Sequence, residues 1–381
     1  MNRAALLSAA AGLSATVVLA GCFGGTVRNP PEEGAGKQRQ GKAKKGDGQD
    51  GAGPGGDQAG GGGGLGGGIS FAAVGDTAMG ITPTLPPEPA SYFDPIAGEL
   101  VGDVVFGNLE GTLTDVSEDV KCGADSKECF AFRAPPEYAD HLREAGFTAM
   151  SLANNHSYDF GEAGQEETIS ALHRAGIEPV GVPGRIAFVE VGRHTVALLG
   201  FAPYDYAPSL TDFESARALI RSARERAEIV VVANHAGGEG ADAVHVSGET
   251  EIYLGEDRGN PEAFAHMAVE AGADLILGSG PHVLRGMEIY RGRLIAYSLG
   301  NFSGFHNFGL DGVLSETVVL HATLAPDGVF RSGRLASVRM AEAGQPVPDP
   351  EGAGAALVAE LSKEDFGPNG VEVSAGGDLR R

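Results

Sequence analysis

Five apolar runs in the sequence each stop at a cluster of side chains able to bind a cation or move a proton. The clusters are Gly75-Asp76-Thr77, Gly107-Asn108-Leu109-Glu110-Gly111, Asn154-Asn155-His156-Ser157-Tyr158-Asp159, Asn234-His235-Ala236-Gly237-Gly238-Glu239 and Gly278-Ser279-Gly280-Pro281-His282. Carboxylate, amide and imidazole donors together suit a hard or borderline divalent cation such as Mn, Mg, Zn or Fe. Asp76, Glu110, Asn155, His156, His235 and His282 are therefore the candidate metal ligands. A cation among them lowers the pKa of bound water and polarises a phosphoryl or acyl oxygen. Asp159 and Glu239 are suited to orient ligand histidines, and with His156 and His235 they make up the candidate catalytic group. Tyr297 and Asn301 are candidate substrate contacts. Taken singly, each residue also has a structural reading: Asp76 as a cap, Asn154 and Asn155 as turn formers, a lone histidine as a hydrogen-bonded core residue. What favours chemistry is the recurrence at five run ends; His141, His173, His194, His245, His266, His306 and His321 have no comparable setting.

The elements that must position these residues follow from periodicity. Ile69–Val74, Val104–Phe106, Thr148–Leu152, Val196–Gly200, Ile229–Ala233, Leu275–Leu277 and Leu294–Ser298 read as buried strands. Pro136–Ala145, Gly161–Ala175, Thr211–Ala227 and Pro261–Ala271 read as helices; in the third, Phe213, Ala216, Ile220, Ala223 and Ala227 share one stripe. This alternation predicts an α/β or α+β layered domain whose strand ends form the ligand crevice. Glu316–Leu324 and Val329–Met340, joined by Pro326-Asp327-Gly328, predict an antiparallel hairpin, and Ala353–Ser362 a surface helix followed by a loose tail.

The ordered set Gly75-Asp76, Asn108-Leu109-Glu110, Asn154-Asn155-His156-x-x-Asp159-x-Gly161, His235-x-Gly237-x-Glu239, Pro281-His282-Val283 and Tyr297-Ser298-Leu299-Gly300-Asn301-Phe302 resembles the CapA family of poly-γ-glutamate capsule synthesis proteins. The similarity runs from about Ile69 to Phe302. It implies a metallophosphoesterase-like sandwich with two mixed sheets flanked by helices, envelope placement, and a link to synthesis or export of an anionic polymer alongside other capsule-synthesis subunits. Three positions depart from the pattern. Asp76 is followed by Thr77-Ala78 where metallophosphoesterases usually read Asp-x-His, Gly280 stands where many members of the family place a histidine, and Ala236 replaces an aromatic residue. Three readings therefore stay open: a metal-dependent hydrolase in capsule assembly, a non-catalytic polymer- or partner-binding lipoprotein with a degenerate metal site, and a general envelope phosphoesterase.

Ahead of this body, Arg3 and the apolar run Ala4 to Ala20 read as an export signal. Leu19-Ala20-Gly21-Cys22 resembles a bacterial lipobox, which implies lipidation of Cys22 and a membrane anchor on the extracytoplasmic face; an uncleaved membrane helix is the alternative. Residues 1–68 hold 21 of the 60 glycines, and the stretch 22–68 has too little apolar surface to offset its ordering entropy. The expected organisation is thus a signal peptide (1–21), a lipid-anchored Gly-rich linker (22–68), a CapA-type domain (69–340) and a C-terminal helix and tail (341–381). Outside the cytosol Cys122 and Cys129 are expected to form a disulfide, a redox or metal role being the alternative. With 28 Lys and Arg against 51 Asp and Glu, the net charge is −23, which argues against a nucleic-acid partner.

Overall fold

The computed structural model describes residues 68–118, 120–122 and 129–380. The expected signal peptide, Cys22 and the linker up to residue 67 lie outside the described residues. Among the described residues, no helix is long and apolar enough to cross a membrane.

Two mixed β-sheets pack face to face with helices on their outer sides. The larger sheet runs, in spatial order, through Glu372–Val373, Asp378–Arg380, Phe330–Met340, Glu316–Leu324, Ile69–Thr77, Val104–Leu109, Ala149–Ser151 and Glu178–Val180. The six-stranded sheet runs through Met287–Tyr290, Arg293–Ala296, Leu275–Ser279, Ile229–His235, His194–Phe201 and Ala187–Val191. Alternation along the strands builds the layers. Ile69, Phe71 and Ala73 meet Val196, Leu198, Val231 and Leu275 in the layer between the sheets. Ala72 and Val74 face the opposite way, toward Leu142 and Leu172 of the helices Tyr138–Ala145 and Gly161–Ala175. On the far side Val230, Val232 and Ile276 pack under Phe213–Arg224 and Pro261–Ala271. Those two helices start where side chains cap them: Asp212 accepts from Ser215 N at 3.1 Å and Asn260 from Ala263 N at 2.8 Å.

The layered α/β expectation and the Glu316–Leu324/Phe330–Met340 hairpin match these findings. The C-terminal segment differs. The helix Ala353–Phe366 is no surface helix, since Val358 and Leu361 are buried and Ala355 and Val358 join the layer between the sheets. Nor is the tail loose, because Asp378–Arg380 pairs with Phe330–Met340. Cys122 and Cys129 are disulfide-bonded, with Cα atoms 5.6 Å apart.

Candidate metal centre

Strand register gathers the polar residues at one edge of the molecule. In the larger sheet Asp76 is paired with Asn108 on one side and with Asn301 on the other. In the smaller sheet His235 is paired with Ser279. The chain comes close enough there only because residue 75 is glycine: a Cβ at Gly75 would lie 1.9 Å from the Gly300 carbonyl oxygen. Asp76, Glu110 and His235, all fully buried, each offer a ligand atom within 4.8 Å of the others.

Amides hold this trio in place. Asn108 Nδ2 donates to Asp76 Oδ1 at 2.8 Å, and Asn154 Nδ2 donates to Asn108 Oδ1 at 3.1 Å and to the Leu109 carbonyl at 2.8 Å. His235 Nδ1 lies 3.2 Å from Ser279 Oγ. His282 closes the cluster, its Nδ1 2.8 Å from Asn301 Oδ1 and 3.1 Å from Asp76 Oδ2, its Nε2 3.4 Å from Glu110 Oε1 and 3.7 Å from Glu239 Oε2. His282 adopts φ 61°, a left-handed conformation that is costly outside glycine and concentrates at functional sites.

The second histidine group stands beside the trio. His156 Nδ1 is 2.7 Å from Asp159 Oδ2, while Lys121 Nζ lies 3.1 Å from Asp159 Oδ1 and 3.0 Å from the same imidazole nitrogen. The Phe132 ring stacks on His156 at 3.9 Å, and Phe132 N donates to Asp159 Oδ2 at 2.7 Å. Glu239 is held by Arg258, whose Nη1 donates to its Oε1 at 2.8 Å. Glu110, His156, Glu239, His282 and Asn301 all line one open cavity of about 240 Å³.

Burial opposes charge on every group here, and neighbours decide which group keeps it. For Asp76 burial acts upward, but the contact with His282 and the charges of His282 and His235 hold it down at about 2. For His282 burial acts downward, yet Glu110, Asp76 and Glu239 push it up to about 10. Burial, then the Asp76 charge, raises Glu110 well above the usual carboxylate range. Burial lowers His235 to about 3 against Asp76, and His156 to about 4 against Asp159. Without a metal, the His282 imidazolium is therefore the positive charge among the carboxylates.

The donor set fits a divalent cation. Both Glu110 oxygens and His235 Nε2 are buried with no hydrogen-bond partner, and so is Asn155 Oδ1 in the adjoining motif. Buried acceptors left unpaired are costly, and a cation satisfies them.

Of the residues singled out from sequence, Asp76, Glu110 and His235 converge, His282, Glu239 and Asn301 face them, and His156 with Asp159 forms a pair on the same cavity. Tyr297 is elsewhere. It is buried, stacks on Phe366 and donates to Glu288 Oε1 at 2.7 Å, so it is a core residue and makes no wall of the cavity. Arg285, three residues after His282, is buried and bonded to Glu251 through both Nη atoms at 2.8 Å. Sequence reasoning passed over Lys121, Phe132 and Arg258. Lys121 and Phe132 flank the cysteine loop, but their spacing from His156 carries no periodic signal.

Residues 70–304 match the sequence model of the bacterial capsule synthesis protein PGA_cap. The chain belongs to this family. Among PGA_cap relatives, the capsule biosynthesis protein CapA of Bacillus anthracis is 33% identical over 220 residues, covering 52% of this chain and 50% of that protein. The PGA biosynthesis protein CapA of Bacillus subtilis strain 168 is 30% identical over 228 residues, 55% of each chain. The chain thus spans about half the length of these two relatives. The solved 5'-nucleotidase precursor of Thermus thermophilus is similar at a TM-score of 0.41 and 15% identity, covering 78% of this chain and 58% of that one.

Proposed function

We propose that the chain acts in the assembly or export of capsular poly-γ-glutamate as a metal-dependent hydrolase of the anionic polymer, held at the extracytoplasmic face of the membrane by lipid on Cys22 and working beside other capsule-synthesis subunits. The observation that carries the hydrolase reading is the buried trio Asp76, Glu110 and His235 with its unpaired acceptor atoms.

These three residues would hold the cation, with His282 beside them. Bound there, it supplies Lewis-acid polarisation and neutralises developing negative charge. The protein's own groups do the rest. Asp159 accepts from His156 Nδ1, which leaves the other ring nitrogen to take or give a proton at the cavity wall. Burial lowers the His156 pKa to about 4, so its imidazole is neutral at physiological pH and able to accept a proton. Lys121 pairs with Asp159 beside the imidazole, and the stacked Phe132 ring covers one face of that imidazole. Asn301 orients His282.

The test is metal analysis of the purified chain together with hydrolysis of poly-γ-glutamate. Near-stoichiometric cation, lost in Asp76→Ala, with hydrolysis abolished but metal retained in His156→Ala, is the expected result. A metal-free, inactive wild type overturns it. One observation favours a second reading, a non-catalytic polymer-binding protein: His282 already places a positive charge against Asp76 and Glu110. Its signature is polymer binding with neither bound metal nor turnover.

A further inference from the structure

Among the described residues, Ala187–Val191 is the one long sheet edge left open. The larger sheet ends in Glu372–Val373, two residues long, and in Glu178–Val180, three residues long with Pro179 inside it. The other end of the smaller sheet, Met287–Tyr290, is covered, since Val371 N donates to the Met287 carbonyl at 3.0 Å and Glu288 bridges to Gly370. Ala187–Val191 has five residues and neither proline nor lysine, two of the devices that usually blunt an edge.

The register says which backbone groups face outward. Val191 stands opposite His194 across the two-residue turn Gly192-Arg193, so Val191, Val189 and Ala187 exchange hydrogen bonds with the neighbouring strand. Phe188 and Glu190 then turn their N–H and C=O groups to the open side. The neighbouring strand agrees: Thr195, opposite Glu190, points its backbone the other way, its N–H donating to Glu228 Oε2 at 2.9 Å and its carbonyl accepting from Glu228 N at 3.1 Å.

Beside this edge lies a cavity of about 420 Å³ with apolar walls at Ile177, Phe188 and Val189 and polar ones at Arg143, His173 and Glu178. It shares no residue with the cavity of the metal centre. Arg185 joins the same rim, its Nη2 3.3 Å from His173 Nε2 and 4.0 Å from Glu178 Oε1, and the Arg226 guanidinium lies 4.2 Å over the Phe188 ring. Arg143, Arg185 and Arg226 are exposed. The carboxylates among them are engaged, Glu178 by Arg185 and Glu190 by Thr195 Oγ1 at 3.0 Å. On a chain of net charge −23 this is a local positive rim around an unpaired ladder.

Charge and spacing choose among occupants. A second copy placed edge to edge sets one arginine rim against another, which opposes pairing. A γ-linked glutamate chain has the charge, but its amides stand too far apart to match a strand ladder. An extended α-peptide of alternating apolar and acidic side chains meets the ladder, the apolar walls and the cations together.

We propose that Ala187–Val191 is the docking edge for an extended acidic α-peptide segment of a partner protein, which adds a strand to the smaller sheet and sets its carboxylates against Arg143, Arg185 and Arg226. Neither the metal centre nor turnover is needed for this.

The test measures binding to the full chain by fluorescence anisotropy, with three labelled probes: an α-linked octapeptide of alternating valine and glutamate, the same peptide with lysine for glutamate, and a γ-linked glutamate octamer. The wild type is expected to bind the first at least about tenfold more tightly than either of the others. Glu190→Pro removes an outward N–H and no bond of the existing ladder; it also removes an acidic side chain, which by charge alone favours an acidic ligand. It is expected to weaken the valine-glutamate peptide at least about tenfold, as is Arg143→Glu combined with Arg185→Glu. N-methylating every amide of that peptide probes the ladder on the wild type, with the same expected loss, and so covers a failure of either variant to fold. Absent binding, equal binding of the lysine peptide or the γ-linked octamer, or full binding by the N-methylated peptide or by a folded Glu190→Pro variant overturns the proposal. So does a wild-type dimer in sedimentation that Glu190→Pro converts to a monomer, which makes a second copy the occupant. Metal content is measured on the same samples. A metal-free wild type that binds the peptide in this way removes the hydrolase reading and leaves this one standing.

Discussion

Removing the cation and removing Glu110 should have opposite signatures, and the size of each follows from the burial of this carboxylate. Glu110 is fully buried, both its oxygens lack hydrogen bonds, and burial together with Asp76 pushes its carboxyl upward. In the wild type, free cation at about 100 times its dissociation constant stabilises the fold by roughly 2.7 kcal/mol. A folded body of roughly 310 residues has an unfolding entropy near 0.65 kcal/mol/K, from about 2.1 cal/mol/K per residue. The expected shift between chelator and Mn²⁺ is therefore about 4 °C in a thermal melt. Glu110→Gln keeps the shape of the side chain and removes a buried charge that no hydrogen bond compensates. Its melting point in chelator should equal or exceed that of the wild type, because breaking up a crowded pair of carboxylates relieves a penalty. Its metal-dependent shift should shrink to below about 1 °C. The competing account makes Glu110 a structural ion-pair partner of His282, whose Nε2 lies 3.4 Å from Oε1. On that account the variant melts lower in chelator and keeps its response to Mn²⁺, and this outcome would refute the assignment of Glu110 as a ligand.

The metal-free protein should be most stable near about pH 6.5. Below that, unfolding lets His156 and His235, held at about 4 and about 3 in the fold, take up protons, so their contribution to stability falls as pH drops. Above it, His282, held at about 10, keeps a proton that the unfolded chain has lost, so stability falls as pH rises; a melting point that climbs steadily to pH 9 contradicts the His282 assignment. Replacing Cys122 and Cys129 by serine should cost about 2–3 kcal/mol, read by denaturant titration, since the bond closes a sequence separation of 7. In Lys121→Ala the His156 resonance should titrate at higher pH than in the wild type, because the ammonium 3.0 Å away disfavours the imidazolium. Gly280→Ala should destabilise by more than about 1 kcal/mol without altering metal content, as its Cβ would lie 2.9 Å from Ala236 N at a φ of 113°.

How far the sequence reaches can be judged from particular elements. The helices Gly161–Ala175 and Pro261–Ala271 have the bounds that periodicity assigns them, because caps and apolar stripes agree there. The strands run longer than their apolar runs, through Asp76, Asn108, His235 and Ser279, because the backbone ladder continues past the point where hydropathy breaks. Glu178–Val180 and Ala187–Val191 escaped notice, the first short and containing a proline, the second alternating without a strong apolar face. Tyr297 was misplaced although its position was readable: Ile295 and Tyr297 are two apart and both face the layer beneath the outer helices. Period two outweighs the polar company of its motif. Arg285 was not readable, since its partner Glu251 is 34 residues away and only the tertiary fold joins them.

Gly280 shows why a motif comparison and a structure weigh the same residue differently. In sequence it is a ligand position left without a side chain. In the fold its φ of 113° and the Ala236 backbone within 3.0 Å of where a Cβ would stand leave no room for one on this path of the chain. The same turn carries His282 at φ 61°, which brings that ring against Asp76 and Glu110 at once. A side chain at 280 would require the turn or the Ala236 backbone to shift. Among the described residues the group able to hold a cation is Asp76, Glu110 and His235, with His282 packed against two of them.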